Sequence, residues 1–221
     1  MLISNQMTFS EENYLKTIYH LTSVSDADIS TNAIAEKMET KASSVTDMLK
    51  KLSEKDLVNY VKYQGVSLTD KGKLAAKMIV RKHRLWECFL VEKLDFSWDE
   101  VHDIAEQLEH IKSEKLINKL DDFLGNPTED PHGDPIPDAN GRIIKVEKQL
   151  LSEFEKNQIG ICVGVKDTSS DFLKYLDKQE IALGSQIEII EKESFDSSFR
   201  IRVRNKEITI SNKIASNLYI K

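Results

Sequence analysis

With 221 residues, 40% of them hydrophobic, the chain can bury one large core or two or three small ones, and its two cysteines, Cys88 and Cys162, suggest neither a disulfide framework nor a CxxC metal site. The opening MLISNQMTFSEENYL has no basic start leading into an apolar run, and no stretch of about 18 uncharged apolar residues occurs, so the expectation is a cytoplasmic protein with no membrane partner. The net charge of −6 is unevenly spread: residues 94–140 carry 3 Lys+Arg against 13 Asp+Glu, whereas residues 1–93 and 141–221 each carry 14 against 12. A middle segment so dense in carboxylates must be solvated or neutralised, and a bound cation is one way to neutralise it.

In chain order, Asn13 to Leu21 shows helical spacing (Tyr14, Leu15, Ile18, Tyr19) behind Ser10 and Glu12 as cap and first turn. Ser30-Thr31 open a short helix through Ile34, Ala35 and Met38. A second runs from about Ser43 to Lys55, with Val45, Met48, Leu49 and Leu52 on one face and Ser44, Thr46, Asp47, Lys50 and Lys51 on the other. Residues 57–61 and 66–68, joined by Lys62-Tyr63-Gln64-Gly65, read as a small hairpin or wing. Helical patterns then run from Thr69-Asp70 through Leu94 and from Asp99 to about Leu124. The Pro- and Gly-rich stretch from Gly125 to Pro137-Asp138 must be irregular. A helix is expected over Lys145–Lys156, followed by strands at 159–165, 186–190, 199–203 and 208–210, with a short helix at 169–176. The tail therefore reads as a compact β-barrel.

Two short helices, a tight turn and a hairpin make a winged helix-turn-helix, whose second helix lies in the major groove when the partner is DNA. Ser43, Ser44 and Thr46 are small enough to approach base edges or phosphates, and Lys41, Lys50 and Lys51 can neutralise phosphates. The same pattern suits an amphipathic hairpin in a core, and winged helices also contact proteins, so the pattern alone leaves DNA open. On the helix starting near Asp99, His102, Glu106, Glu109 and His110 fall on an arc of about 100°, opposite Val101, Ile104, Ala105, Leu108 and Ile111. His83 and Glu87 form an i, i+4 pair on the preceding helix, and Asp130-Pro131-His132-Gly133-Asp134 adds ligand types in the irregular stretch. Glu and His pairs on facing helices build divalent-metal sites, and carboxylate and imidazole donors without thiolate suit Mn(II), Fe(II), Co(II) or Zn(II). The plainer reading is a set of solvated helix carboxylates and ordinary histidines.

SEENYLKTIYHL, IAEKM, SSVTDMLKKL, LTDKGKLAAKMIVRKHRL, VHDIAEQLEH and DPHGDPIP resemble, over nearly the whole chain, the DtxR/MntR family of metal-dependent repressors. The tail, with Gly184 and Ile187-Glu188-Ile189-Ile190, resembles the SH3-like, FeoA-type domain of the family's longer members. The resemblance implies a primary metal site of Glu106, Glu109 and His110, closed from helix one by Asn13, where other members carry Asp or Met. Lys16 is a second departure, since short manganese-sensing members have a Glu ligand there. Glu106 stands where the iron-type members have Cys, and a hard oxygen donor favours Mn(II). A second site is implied from His83, Glu87 and His102, with Asp130 and His132 and, more weakly, Asp167. For DNA the resemblance points to Ser10, Thr31, Lys41, Ser43, Ser44, Thr46 and Lys51.

The expected architecture is mainly α with a small β part: a winged helix-turn-helix over residues 1–73, a helical metal-binding and dimerisation domain with a Pro-rich linker over 74–140, and a linker helix with an SH3-like domain over 141–221. The expected function is a homodimeric repressor of double-stranded operator DNA. Mn(II), with Fe(II) as the alternative, acts as corepressor by tying helix one to the sensing helix, and no small-molecule substrate is involved. A metal-dependent hydrolase using the His/Glu helix, and a winged-helix regulator sensing an organic ligand, are the rival readings. The first lacks an HExxH or comparable motif.

Overall fold

The computed structural model describes residues 7–24, 28–62, 64–144 and 147–221; Tyr63 of the expected wing, and Lys145 and Val146 of the expected linker helix, lie outside them. The chain forms two compact units. One comprises residues 1–83, 106–123 and 137–143, the other residues 84–105, 124–136 and 144–221. The first boundary between these units falls between His83 and Arg84, inside a helix. The reason is α4 (Asp70–Leu94), which is 25 residues and therefore about 37 Å long, more than one small core can cover. Its first half belongs to one unit and its second half to the other.

In the first unit, α1 (Phe9–Val24), α2 (Thr31–Lys37), α3 (Ala42–Glu54) and the antiparallel pair β1 (Val58–Val61) and β2 (Gly65–Leu68) make the winged helix. Helix α1 starts four residues before the expected Asn13, because Thr8 and Glu11 cap it reciprocally. The Glu11 carboxylate accepts the Thr8 N–H at 2.8 Å and the Thr8 hydroxyl accepts the Glu11 N–H at 3.3 Å. Ser30 caps α2 by accepting the Ala33 N–H at 3.1 Å, an interaction worth about 1 kcal/mol. Leu15 and Ile18 of α1, Ile34 of α2, Val45, Leu49 and Leu52 of α3, Val66 of β2 and Ile79 of α4 are wholly buried in one core.

The long helix expected from Asp99 to Leu124 is instead two: α5 (Val101–Leu108) and α6 (Glu114–Phe123). Ser113 restarts the helix, its hydroxyl accepting the Leu116 N–H at 3.3 Å. Glu109 and His110 therefore sit on the turn after α5 rather than on its continued helical arc.

In the second unit, the expected helix over Lys145–Lys156 is replaced by β3 (Gln149–Leu150) and a 3-10 turn at Leu151–Glu153. Gln149 and Leu150 pair with Ile220 and Tyr219, and Leu151 is wholly buried in the tail core. Residues with helical spacing are thus used as a strand and a turn because a C-terminal strand waits beside them. Strands β3, β4 (Ile159–Val165), β5 (Gln186–Lys192), β6 (Phe199–Val203), β7 (Lys206–Ile210) and β8 (Leu218–Ile220) form a six-stranded antiparallel sheet in the order β3-β8-β4-β5-β6-β7, the SH3-like type expected. Bulges fall between Cys162 and Gly164 and between Ile189 and Glu191, and such bulges bend and twist a sheet. Helix α7 (Ser170–Lys178) buries Phe172, Leu173 and Leu176 against it, and a short α8 (Asn212–Ala215) leads into β8. Among the described residues no helix is long and apolar enough to cross a membrane.

Candidate metal centre and DNA-binding face

The face of the winged helix opposite its core is polar. Lys41, Ser43, Ser44, Asp47, Lys50 and Lys51 are exposed and Thr46 is half-buried, its hydroxyl bonded to the Ala42 carbonyl at 3.0 Å. Thr31 and Thr46 line a cleft of about 440 Å³ that Tyr60, Lys62 and Gln64 bound from the wing side. Ser10 is exposed in the first turn of α1.

In the same unit, Glu106, Glu109 and His110 of the implied primary site are each paired with a protein group. Asn13 is exposed, about 100° round α1 from Glu12, and it is the buried Glu12 that meets His110, Oε2 to Nδ1 at 2.5 Å. The Phe9 ring stacks on the same imidazole, centroids 4.5 Å apart. Lys16, one turn after Glu12, places its Nζ 3.2 Å from Glu106 and 2.7 and 2.8 Å from the two oxygens of Glu109. His83 Nδ1 lies 2.7 Å from the Glu109 Oε2. Burial by itself would raise the Glu109 carboxyl, but His83 and Lys16 hold it below the usual carboxylate range.

In the second unit, Glu87 of α4 meets the loop that follows α6. Ligand atoms of Glu87, Asp130 and His132 all lie within 4.8 Å of one another, and all three residues are buried. His132 Nδ1 stands 3.8 Å from Glu87 Oε2 and 4.0 Å from Asp130 Oδ1, and the half-exposed His102 of α5 brings Nδ1 to 3.5 Å from Glu87 Oε1. The loop is built locally and then seated on the sheet. Asp130 Oδ1 accepts the N–H groups of His132 (2.8 Å) and Asp134 (3.0 Å), and Arg84 reaches the Pro135 carbonyl, Asp134 and Asp130. The His132 carbonyl accepts the Val165 N–H at 2.9 Å, and the His132 Nε2 meets the Trp98 carbonyl at 2.8 Å. Gly133, at φ +79°, lies so close to β4 that a Cβ would stand 2.0 Å from the Val163 carbonyl oxygen.

Burial and mutual charge shift the titrating residues of this group. Burial, together with the charges of Glu87 and Asp134, pushes the Asp130 carboxyl up despite Arg84. Burial alone would lower the His132 imidazole, but Glu87 and Asp130 outweigh it and push it up to about 9. Two oxygens and a nitrogen at these separations fit a hard or borderline divalent ion with bonds of about 2.0–2.6 Å after small side-chain adjustments. Cys88, close by on α4, turns its thiol to the Glu129 carbonyl at 3.6 Å, and burial pushes that thiol up. Asp167 accepts the Ser169 N–H at 2.9 Å at the start of α7 and belongs to no convergent ligand group among the described residues.

Sequence reasoning missed Glu12 and Arg84 and did not foresee where Lys16 would bond. Glu12 and Lys16 are one turn apart on α1, a spacing that could have marked a shared face, and Arg84 is adjacent to His83 in the RKHRL segment. Nothing local to the sequence marks the Trp98 carbonyl.

A winged helix in one chain with a buried carboxylate and imidazole group on helices and loop is the layout of transcriptional regulators that answer to a metal ion. Residues 6–66 match the model of the iron dependent repressor N-terminal DNA binding domain, residues 69–138 that of the iron dependent repressor metal binding and dimerisation domain, and residues 149–221 the FeoA domain. The chain belongs to the DtxR/MntR family of metal-dependent repressors, in its long form. It is 29% identical to the iron-dependent repressor IdeR of Mycobacterium leprae over 187 residues, 74% of this chain and 81% of that one. Identity to the diphtheria toxin repressor of Corynebacterium diphtheriae is 26% over 95% of this chain and 96% of that one. A solved manganese-dependent transcriptional repressor in complex with manganese superposes with a TM-score of 0.84 at 33% identity, covering 95% of this chain and 98% of that one. The family's members are repressors and not enzymes, which sets the hydrolase reading aside.

Proposed function

We propose that the chain acts as a homodimer that binds double-stranded operator DNA and represses transcription when loaded with a divalent metal ion. Mn(II) is the favoured corepressor and Fe(II) the alternative. The observation that carries the metal assignment is the buried convergence of Glu87, Asp130 and His132, with His102 at its rim. The ion, when bound, supplies positive charge that the two buried carboxylates and the imidazole share. Oxygen-rich donors with no thiolate among them favour Mn(II) over softer ions. The chain's own part is to hold the loop for it: Arg84 and the Asp130 turn shape the backbone, and the hydrogen bond from Val165 to the His132 carbonyl seats it on β4.

On the DNA side, Ser43, Ser44 and Thr46 reach the major-groove edge of the site, while Ser10, Thr31, Lys41 and Lys51 contact phosphates. The test is selection of a duplex from a random pool with Mn(II) present, followed by anisotropy titration of that duplex at fixed salt with Mn(II), Fe(II), Co(II), Zn(II) or chelator. Expected is an affinity loss of at least tenfold in chelator, with Mn(II) restoring it best. Equal affinity with metal and with chelator would sink the reading.

A further inference from the structure

How the Glu106 and Glu109 carboxylates are bridged bears on how many ions the chain can hold. At Glu87, Asp130 and His132 the ligand atoms face one another across 3.8 to 4.0 Å, and Arg84 meets Asp130 at 3.3 Å. At Glu106 and Glu109 a lysine stands between the two carboxylates. The Lys16 ammonium lies within 3.2 Å of the Glu106 carboxylate and touches both oxygens of Glu109, and the Glu109 side chain is wholly buried.

An ammonium carries three N–H donors and a full positive charge, so it can bridge two carboxylates much as an ion would. Unlike an ion it is tied to α1 and is present at every metal concentration. The remaining donors are also engaged, His110 by Glu12 and His83 by Glu109. A divalent ion bonded to Glu106 and Glu109 would have to expel the Lys16 ammonium.

We propose that Lys16 is a built-in cation that takes the place of a metal ion between Glu106 and Glu109, so that the chain loads a single divalent ion, at Glu87, Asp130 and His132. The inference rests on the metal-sensing reading for that single ion. Its consequence is that α1 is clamped to the turn after α5 whether or not metal is present, reinforced by the Lys112 ammonium on the Met7 carbonyl at 2.9 Å. Metal control then passes through the Glu87 group alone.

Equilibrium dialysis of the full-length chain against Mn(II), with the bound ion counted by elemental analysis and by electron paramagnetic resonance, tests this. Expected is one ion per chain for the wild type, for Glu106→Gln and for Lys16→Arg, which keeps the charge, and one additional ion for Lys16→Met, which removes the charge and adds no oxygen donor. Two ions in the wild type with one lost in Glu106→Gln would overturn the proposal, as would a folded Lys16→Met that gains none. Should Lys16→Met fail to fold by circular dichroism, the comparison of wild type with Glu106→Gln still decides. Loss of the ion in Glu87→Gln tests the separate assignment of that site, and the difference between Lys16→Met and wild type does not depend on it.

Discussion

Replacing Glu87 by glutamine removes one negative charge from the proposed metal group while keeping the side chain's shape. The carboxylate is 3% exposed, 3.8 Å from His132 Nδ1 and 3.5 Å from His102 Nδ1. Without metal two effects oppose each other. The imidazoles lose a partner, but Asp130, whose carboxyl Glu87 helps to push up, loses a neighbour of like charge. The metal-free melting temperature is therefore expected to stay within about 4 °C of wild type, the equivalent of about 1 kcal/mol for a chain of this size. With metal the outcome is one-sided. At a Mn(II) concentration of about 100 times Kd, binding adds about 2.7 kcal/mol of stability, or about 5–11 °C in Tm. Losing a carboxylate ligand weakens affinity by at least the roughly 100-fold that loss of an outer-shell partner can reach. The same Mn(II) then adds only about 0.4 kcal/mol, a shift of about 1–2 °C. Differential scanning calorimetry of both proteins with and without Mn(II) measures this, and a glutamine variant that keeps the wild-type shift refutes the ligand assignment.

Gly133→Ala forces a side chain into a left-handed backbone position with its Cβ 2.0 Å from the Val163 oxygen. It is expected to cost at least about 2 kcal/mol in urea denaturation and to weaken Mn(II) binding by about tenfold or more, because the loop can no longer seat on β4. Lys51→Ala, on the exposed face of α3, should reduce the slope of log K against log salt for operator binding by about 0.9. An unchanged slope would remove Lys51 from the phosphate contacts. Burial pushes the Cys162 thiol up to about 11, so it should resist a disulfide exchange reagent at pH 8 in the native protein and react once guanidinium unfolds the chain. The sign of the linked stability follows. Above about pH 9 the unfolded chain releases the thiol proton while the folded chain keeps it, so stability declines by about 1–2 kcal/mol by pH 10. A Cys162→Ala variant should lose that part of the decline.

The winged helix was largely legible in the sequence because its signals are local. The period of Val45, Leu49 and Leu52, the Ser30 cap and the alternation around the wing each depend on near neighbours along the chain. The family and the pool of candidate metal residues were legible for the same reason, being carried by contiguous motifs. What the tertiary structure decided is which members of that pool meet. Glu12 faces His110 where Asn13 was expected, because α1 begins at Phe9 and packs its Glu12 and Lys16 side inward. Ser113 interrupts the expected long helix and swings Glu109 and His110 onto a turn. The segment around Gln149 and Leu150 is a strand because β8, some 70 residues later, offers its backbone.

Charge and residue type, which the sequence supplies by itself, determined that this protein carries a metal-sensing vocabulary of carboxylates and imidazoles. Whether a given carboxylate faces a loop imidazole or a lysine ammonium depends on which distant segment packs against it. Only the fold could place Lys16 between Glu106 and Glu109 while setting Glu87 against the Asp130–His132 loop.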